Sequence, residues 1–272
     1  MASSDGSVVI DILGKTDNFR GELGKLGSLA STAMKSVAVG AGAAVASVGA
    51  LTKSAIESYS SYEQLAGGVE TLFKDSAKTV KNYADNAYET SGLSANEYME
   101  TVTSFAASLL QGLGGDTEEA AKMADVAITD MSDNANKMGT DMASIQYAYQ
   151  GFAKQNYTML DNLKLGYGGT QAEMARLVNE SGVLGDTVEV TAKTINEVSF
   201  DKIIEAIHVT QERMGITGTT AKEAAETIEG SVNSAKAAWK NLVTGLGDEN
   251  ADLDRLVKEL IERASTAAGN VI

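Results

Sequence analysis

The stretch FDKIIEAIHVTQERM, from Phe200 to Met214, decides how the rest of the chain is read. Phe200, Ile203, Ile204, Ile207 and Met214 recur at intervals that place them on one side of an α-helix. Asp201, Glu205, Glu212 and Arg213 fall on the other side and are expected to face water. A half-buried strand would alternate apolar and polar residues with a period of two, and this run does not. It predicts an amphipathic helix, whose apolar side needs other helices to pack against.

Working outward, the same helical period returns along most of the chain. No proline occurs in the 272 residues, where about a dozen would be average. Proline breaks helix interiors, so its absence fits long helical stretches. From residue 76 onward the sequence predicts helices over 76–90, 95–111, 117–134, 141–154, 171–180, 200–214, 220–244 and 251–266. Their starts are marked by a polar acceptor followed three residues later by an acid: Ser94 with Glu97, Asp116 with Glu119, Thr158 with Asp161, Thr170 with Glu173, and Thr220 with Glu223. Glycine-bearing segments at 91–94, 112–116, 137–141 and 166–170 fit helix ends and tight connections. The segment 182–198, with VLGDTVEVT inside it, is compatible with a short hairpin.

The first part of the chain reads differently. Val8-Val9-Ile10-Asp11-Ile12 is the one β-type run, flanked by Gly6 and Gly14. From Asn18 to about Ser61 the pattern suits a single long helix. Its residues 36–52 carry no charge between Lys35 and Lys53. Within them Ala38, Gly42, Ala46 and Ala50 recur every four residues, a stripe of small side chains that lets helix backbones approach closely. A buried helix of a bundle or homo-oligomer is one reading of this stripe. The other is a membrane-entering helix of a pore former or secreted effector, although a span needs about 20 apolar residues and this run is shorter and rich in Ala, Gly and Ser.

The expected organisation is all-α. A short strand lies in 1–14, followed by a long Ala/Gly-rich helical region over 15–74. A bundle of short to medium helices then covers 75–245, and a C-terminal helix 246–272; a compact globule over 75–245 and an extended, oligomeric set of helices both fit the pattern. The chain stops at Ala268-Gly269-Asn270-Val271-Ile272 without a capping sequence, which reads as a cut within a longer protein.

Composition narrows the chemistry. Hydrophobic residues make up 43% and charged residues 22%, as in folded proteins and unlike disordered tails. Aromatics are only 6%, so packing must rely on small side chains. The net charge of −15 and the lack of any basic run argue against gripping nucleic acid phosphates. Without cysteine there is no disulfide, thiolate metal site or thiol nucleophile. The start, MASSDGSVVIDIL, has neither the basic region nor the apolar region of a secretory signal.

His208 is the one histidine, so zinc ligation lacks its partners, and no Gly-x-Ser-x-Gly elbow frames a serine. Packing or surface exposure is therefore the expected role of His208. Gly166-Tyr167-Gly168-Gly169 follows a helical stretch and lacks the Gly-Lys-Ser/Thr ending of a phosphate loop, so it reads as a turn. Asp248, Asn250, Asp252 and Glu259 fit part of a calcium-loop template, but Leu253 stands where that loop requires glycine. No catalytic residue, cofactor or metal ligand is assigned on these grounds.

Several longer strings are more specific. They are Gly67-Gly68-Val69-Glu70-Thr71-Leu72-Phe73, Ser94 to Glu100 (SANEYME), Asp130 to Gly139 (DMSDNANKMG), and Tyr149 to Leu163 (YQGFAKQNYTMLDNL). Gly215 to Ala224 (GITGTTAKEA) and Ala235 to Leu242 (AKAAWKNL) continue them. Together they resemble the N-terminal part of the tape measure proteins of long-tailed bacteriophages and prophages, over nearly the whole chain to about residue 245.

The resemblance implies a mostly helical, non-enzymatic virion protein that occupies the lumen of the tail tube and is made in the host cytoplasm. It implies that the length of the protein sets tail length and that the protein leaves ahead of the DNA, aiding genome passage through the host envelope. The implied partners are further copies of itself as a trimer or hexamer, the tail tube protein, tail assembly chaperones and tail-tip proteins, with the host membrane as a further candidate and no specific nucleic-acid binding. Members of that family are usually much longer. At about 1.5 Å per helical residue, even one continuous helix of this chain would reach only about 400 Å.

Overall fold

The computed structural model describes residues 48–185 and 187–271. The strand expected at Val8–Ile12, most of the long helix expected from Asn18, and Ala38, Gly42 and Ala46 of the small-residue stripe lie outside them. Ala50 falls within the first described helix.

The described residues are helical, with no strand among them. The helices are α1 (Val48–Phe73), α2 (Ala77–Thr90), α3 (Ala95–Gly112), α4 (Thr117–Met138) and α5 (Met142–Phe152), then α6 (Gln171–Ser181), α7 (Phe200–Arg213), α8 (Thr219–Glu226), α9 (Ile228–Gly245) and α10 (Leu253–Val271). Short 3-10 turns occupy Lys74–Ser76, Leu160–Leu163 and Ile195–Glu197. The helices expected from the sequence at 76–90, 95–111, 117–134, 141–154, 171–180 and 200–214 are all present, with ends shifted by a few residues.

Local chemistry explains most of the starts. Ser94 and Glu97 form a reciprocal capping box at the head of α3. Asp116 accepts from the Glu118 and Glu119 amides, Asp141 from Ser144, and Thr170 from Glu173. At the end of α4, Gly139 takes the left-handed conformation that terminates a helix, φ 63°.

Two of the expected starts are not made. Thr158 caps nothing: its hydroxyl turns back to the Asn156 side chain ahead of a short 3-10 turn. Thr220 lies inside α8, whose N-cap is Gly218 at φ 84°. Among its described residues the segment 182–198 forms no hairpin either. It is a succession of turns and extended backbone held by Asn179, whose side-chain amide accepts from the Val190 amide and donates to the Val190 carbonyl.

The helix expected over 220–244 is broken at Thr227, which is extended (φ −115°, ψ 155°) and whose hydroxyl accepts from the Gly230 amide to start α9. Gly230 permits the break, because a Cβ there would sit 2.4 Å from the carbonyl carbon and oxygen of Glu223. Gly230→Ala is expected to cost about 2 kcal/mol, as forced overpacking does. Urea unfolding of the variant checks this; an unchanged midpoint would show that the two helices separate easily.

One large core runs from Ala66, Val69 and Phe73 at the end of α1 through α2–α7 to Ile216. Tyr98, Tyr149, Phe73, Phe105, Phe152 and Met99 are its bulkiest enclosed side chains. Much of the rest is alanine: Ala84, Ala87, Ala106, Ala120, Ala121, Ala124 and Ala127 are each at most 1% exposed. The low aromatic content is thus met by close helix contact. A second cluster joins Ala55 and Tyr88 to Ala238, Leu242, Leu256 and Leu260, where α9 and α10 lie against α1 and α2.

The α7 helix is amphipathic as expected, with two exceptions. Met214 is 45% exposed, because the helix ends at Arg213 and the chain turns away. Asp201 is buried at 6% exposure instead of facing water. It stands against the end of α3, where a Cβ on Gly112 would lie 2.7 Å from its carboxylate.

Candidate functional site

Polar side chains that would normally seek solvent gather where α4, α7 and the start of α8 meet. Three of them come from a single stretch of α4: Asp130, Asp133 and Asn134 are 1%, 0% and 0% exposed. A buried carboxylate has to be compensated by hydrogen bonds or charge. The two aspartates are compensated in different ways.

Among the described residues no basic side chain pairs with Asp133, but its two oxygens accept from the Gly218 amide at 2.6 Å and the Thr220 amide at 2.7 Å. These N–H groups open α8, so a residue of α4 caps a helix that begins more than eighty positions later. Asn136 adds to the joint by donating to the Thr220 hydroxyl at 2.9 Å. Asn134 donates to the Leu163 carbonyl and ties in the 3-10 turn.

Asp130 meets His208. Nδ1 of the imidazole lies 3.0 and 2.9 Å from the two carboxylate oxygens, and Nε2 lies 3.6 Å from the Glu212 carboxylate. The His208 side chain is 28% exposed, so solvent reaches one side of the ring. Burial pushes the Asp130 carboxyl up to about 6, against the opposing pull of the His208 hydrogen bonds. The Asp130 contact raises the imidazole above its ordinary value, against the desolvation that would lower it. Tyr149 is fully enclosed, and its own ionisation is suppressed by burial and by the nearby Asp130.

An acid that orients a histidine is also the arrangement of a general base. Here Nε2 faces the Glu212 carboxylate. The pair links α4 to α7. The sequence marked His208 as a packing or surface residue, and it is both at once. The importance of Asp130 and Asp133 was not legible, since neither is framed by a local motif.

The other sequence candidates resolve separately. The Gly166–Thr170 turn is closed on itself. The Gly168 amide donates to the Glu173 carboxylate at 3.1 Å, and Arg176 lies over the Tyr167 ring at 4.4 Å. In the calcium-loop template, Asp248 accepts from the Asn250 amide, Asp252 from the Arg255 amide, and Glu259 pairs with Arg255. Each acid is engaged in local structure, and among the described residues no group of three His, Asp or Glu is placed to hold a metal ion. No helix among the described residues is long and apolar enough to cross a membrane.

Clefts remain. One of about 210 Å³ lies between α4, α8 and α9, bordered by Ser132, Asn136, Met142, Thr220 and Lys236. Another, of about 220 Å³, holds the stacked Tyr59 and Tyr62 with Asp85, Asp248 and Arg255. Both, like a third of about 220 Å³ beside Gly112 and Phe200, are smaller than common small-molecule sites of about 300–1,000 Å³, whereas a fourth of about 400 Å³, bordered by Leu184, Val188, Val190, Thr194 and Lys202, falls within that range.

Comparisons of the chain with protein-family models, with curated proteins and with solved structures give no match.

Proposed function

We propose that this chain is a structural, non-enzymatic component of a bacteriophage tail, a tape measure protein or its N-terminal part. The reading rests on the resemblance of the strings given above. One observation carries it further: those strings supply the interior of the bundle. Tyr149, Phe152, Tyr157, Leu160 and Leu163 of one string are core residues, as are Val69 and Phe73 of another. Asp130, Asp133 and Asn134 of a third form the buried polar joint. The likeness thus includes side chains that a packed body needs, alongside exposed positions such as Glu70, Lys154 and Asn156.

In this proposal the bundle is a folded station on the tape, within the tube lumen. The partners are further copies as a trimer or hexamer, the tail tube protein, the assembly chaperones and the tail-tip proteins. A charge of −15 suits a lumen filler that must release DNA, since it offers phosphates no counter-charge.

Deleting the coding sequence from the source genome tests the proposal. The expected result is particles without tails, or tube protein polymerised to irregular lengths, seen by negative-stain electron microscopy. Tails of normal number and uniform length would refute it.

A further inference from the structure

We infer that the Asp130–His208 pair is a proton-operated latch holding α7 and the start of α8 onto α4. The inference goes beyond the proposed tail function and does not depend on it. It stands on three geometric facts. Asp130 is 1% exposed, and the hydrogen-bond partner of both its oxygens is the same imidazole nitrogen. The imidazole is open to solvent on its other side, so it can exchange its proton without the bundle unfolding. One turn further along α4, Asp133 fastens the α8 amides, so any loosening at Asp130 is carried to that cap.

With His208 protonated, the buried carboxylate faces a full positive charge. When the proton leaves, Asp130 keeps its negative charge in the interior with only a neutral N–H donor beside it. Removing one partner's charge from a buried pair is costly because the other stays desolvated. The surrounding groups reinforce this direction. Asp133 on α4 and Glu212 on α7 both favour the protonated imidazole. The other cations of α7 are engaged elsewhere, Lys202 by Glu205 and Arg213 by the Glu180 and Ser181 carbonyls of α6. Tyr149 on α5 is neutral and fully buried.

The sign follows from linkage. A histidine whose folded value is raised contributes stability that is complete below its unfolded value of 6.5 and is lost as pH climbs through the folded value. Asp130, raised to about 6 from 3.8, acts in the same sense at lower pH, because the folded state holds its proton longer. The latch therefore closes on mild acidification and opens on alkalinisation.

Because His208 is the one histidine, its ring signals can be followed by NMR in the full chain without assignment ambiguity. The experiment combines that titration with amide hydrogen exchange between about pH 6 and pH 9, corrected for intrinsic chemical rates. The expected result is an imidazole titrating above the ordinary histidine value. Protection in 200–226 should fall about tenfold across the same pH range while α9 and α10 change little. In Asp130→Asn the imidazole should return to an ordinary value and the local pH dependence should vanish. Should that variant fail to fold, His208→Gln serves instead, with 200–226 weakly protected at every pH. An ordinary His208 titration, or a pH dependence of exchange that persists in either variant, would overturn the latch.

Discussion

Asp133→Asn is expected to destabilise the bundle by about 3 kcal/mol, and Asp133→Ala by about 4, since each buried donor left unsatisfied costs about 1–3 kcal/mol. The side chain is 0% exposed, so water does not replace what is lost. Asparagine keeps the shape but offers a single acceptor, so either the Gly218 or the Thr220 amide must face an N–H instead of an oxygen. Alanine leaves both amides open and adds a small cavity. Glutamate does not rescue, because its extra methylene has no room in the joint. Urea unfolding with far-UV circular dichroism measures the loss. The location of the damage is a second readout: amide exchange should rise first at Thr219–Glu226, the helix that has lost its cap. A loss below about 1 kcal/mol, the level of an ordinary exposed cap, would mean the amides find other partners.

Gly169→Ala is the other large effect, expected at about 3 kcal/mol, the upper end of what forced overpacking costs. A Cβ at this position would lie 2.2 Å from the Thr158 carbonyl oxygen and 2.8 Å from its carbon. Both are backbone atoms and cannot rotate aside. The turn is also held from its far side, where the Glu173 carboxylate accepts from the Gly168 amide and the Glu173 amide donates to the Thr170 hydroxyl to start α6. Gly114→Ala makes an informative contrast. Its Cβ would meet nothing within 4 Å, so only its positive φ of 64° opposes the change. Strain of that kind costs about 1 kcal/mol. Thermal or urea unfolding of the two variants side by side separates steric exclusion from backbone strain. Equal losses would argue against the close Thr158 contact.

These two sites show what kind of information the sequence holds. The Gly166–Thr170 segment was legible as a turn, because glycines beside a capping threonine constrain the chain locally. That a glycine there must also admit the Thr158 carbonyl depends on a second segment folding back, which the local pattern does not express. The starts of α3, α4 and α6 were legible for the same reason: cap and capped amide lie within three residues of each other. The start of α8 was misread, because its cap comes from Asp133, remote in sequence.

The same limit explains Asp201 and Asp130. A helical wheel assigns an aspartate to the water side by its type, and Asp201 was placed there. Its actual burial is decided by Gly112, whose missing side chain makes room for it. Asp130 is tolerated in the interior because His208, on another helix, reaches its carboxylate. Periodicity thus located α7 and its isoleucine face correctly, and the polar exceptions were decided by residues that periodicity does not connect.

The break at Thr227 is subtler. A capping threonine three residues before Gly230 was available to be read, but the flanking alanines and lysines continue the helical pattern without interruption. Competition between a continuous helix and two crossing ones is settled by the packing of α9 along α10 and α1, a tertiary preference that local propensity does not report.

The central claim is that this helical bundle belongs to a phage tail, and quantitative mass spectrometry of purified tails from the source strain tests it most directly. Particles would be induced, their tails separated from heads on a density gradient, and peptides from residues 48–271 counted against the tail tube protein. The account predicts that these peptides co-purify with tails at the stoichiometry of a trimer or hexamer per tube. Intact tails of uniform length from which the peptides are missing would contradict it.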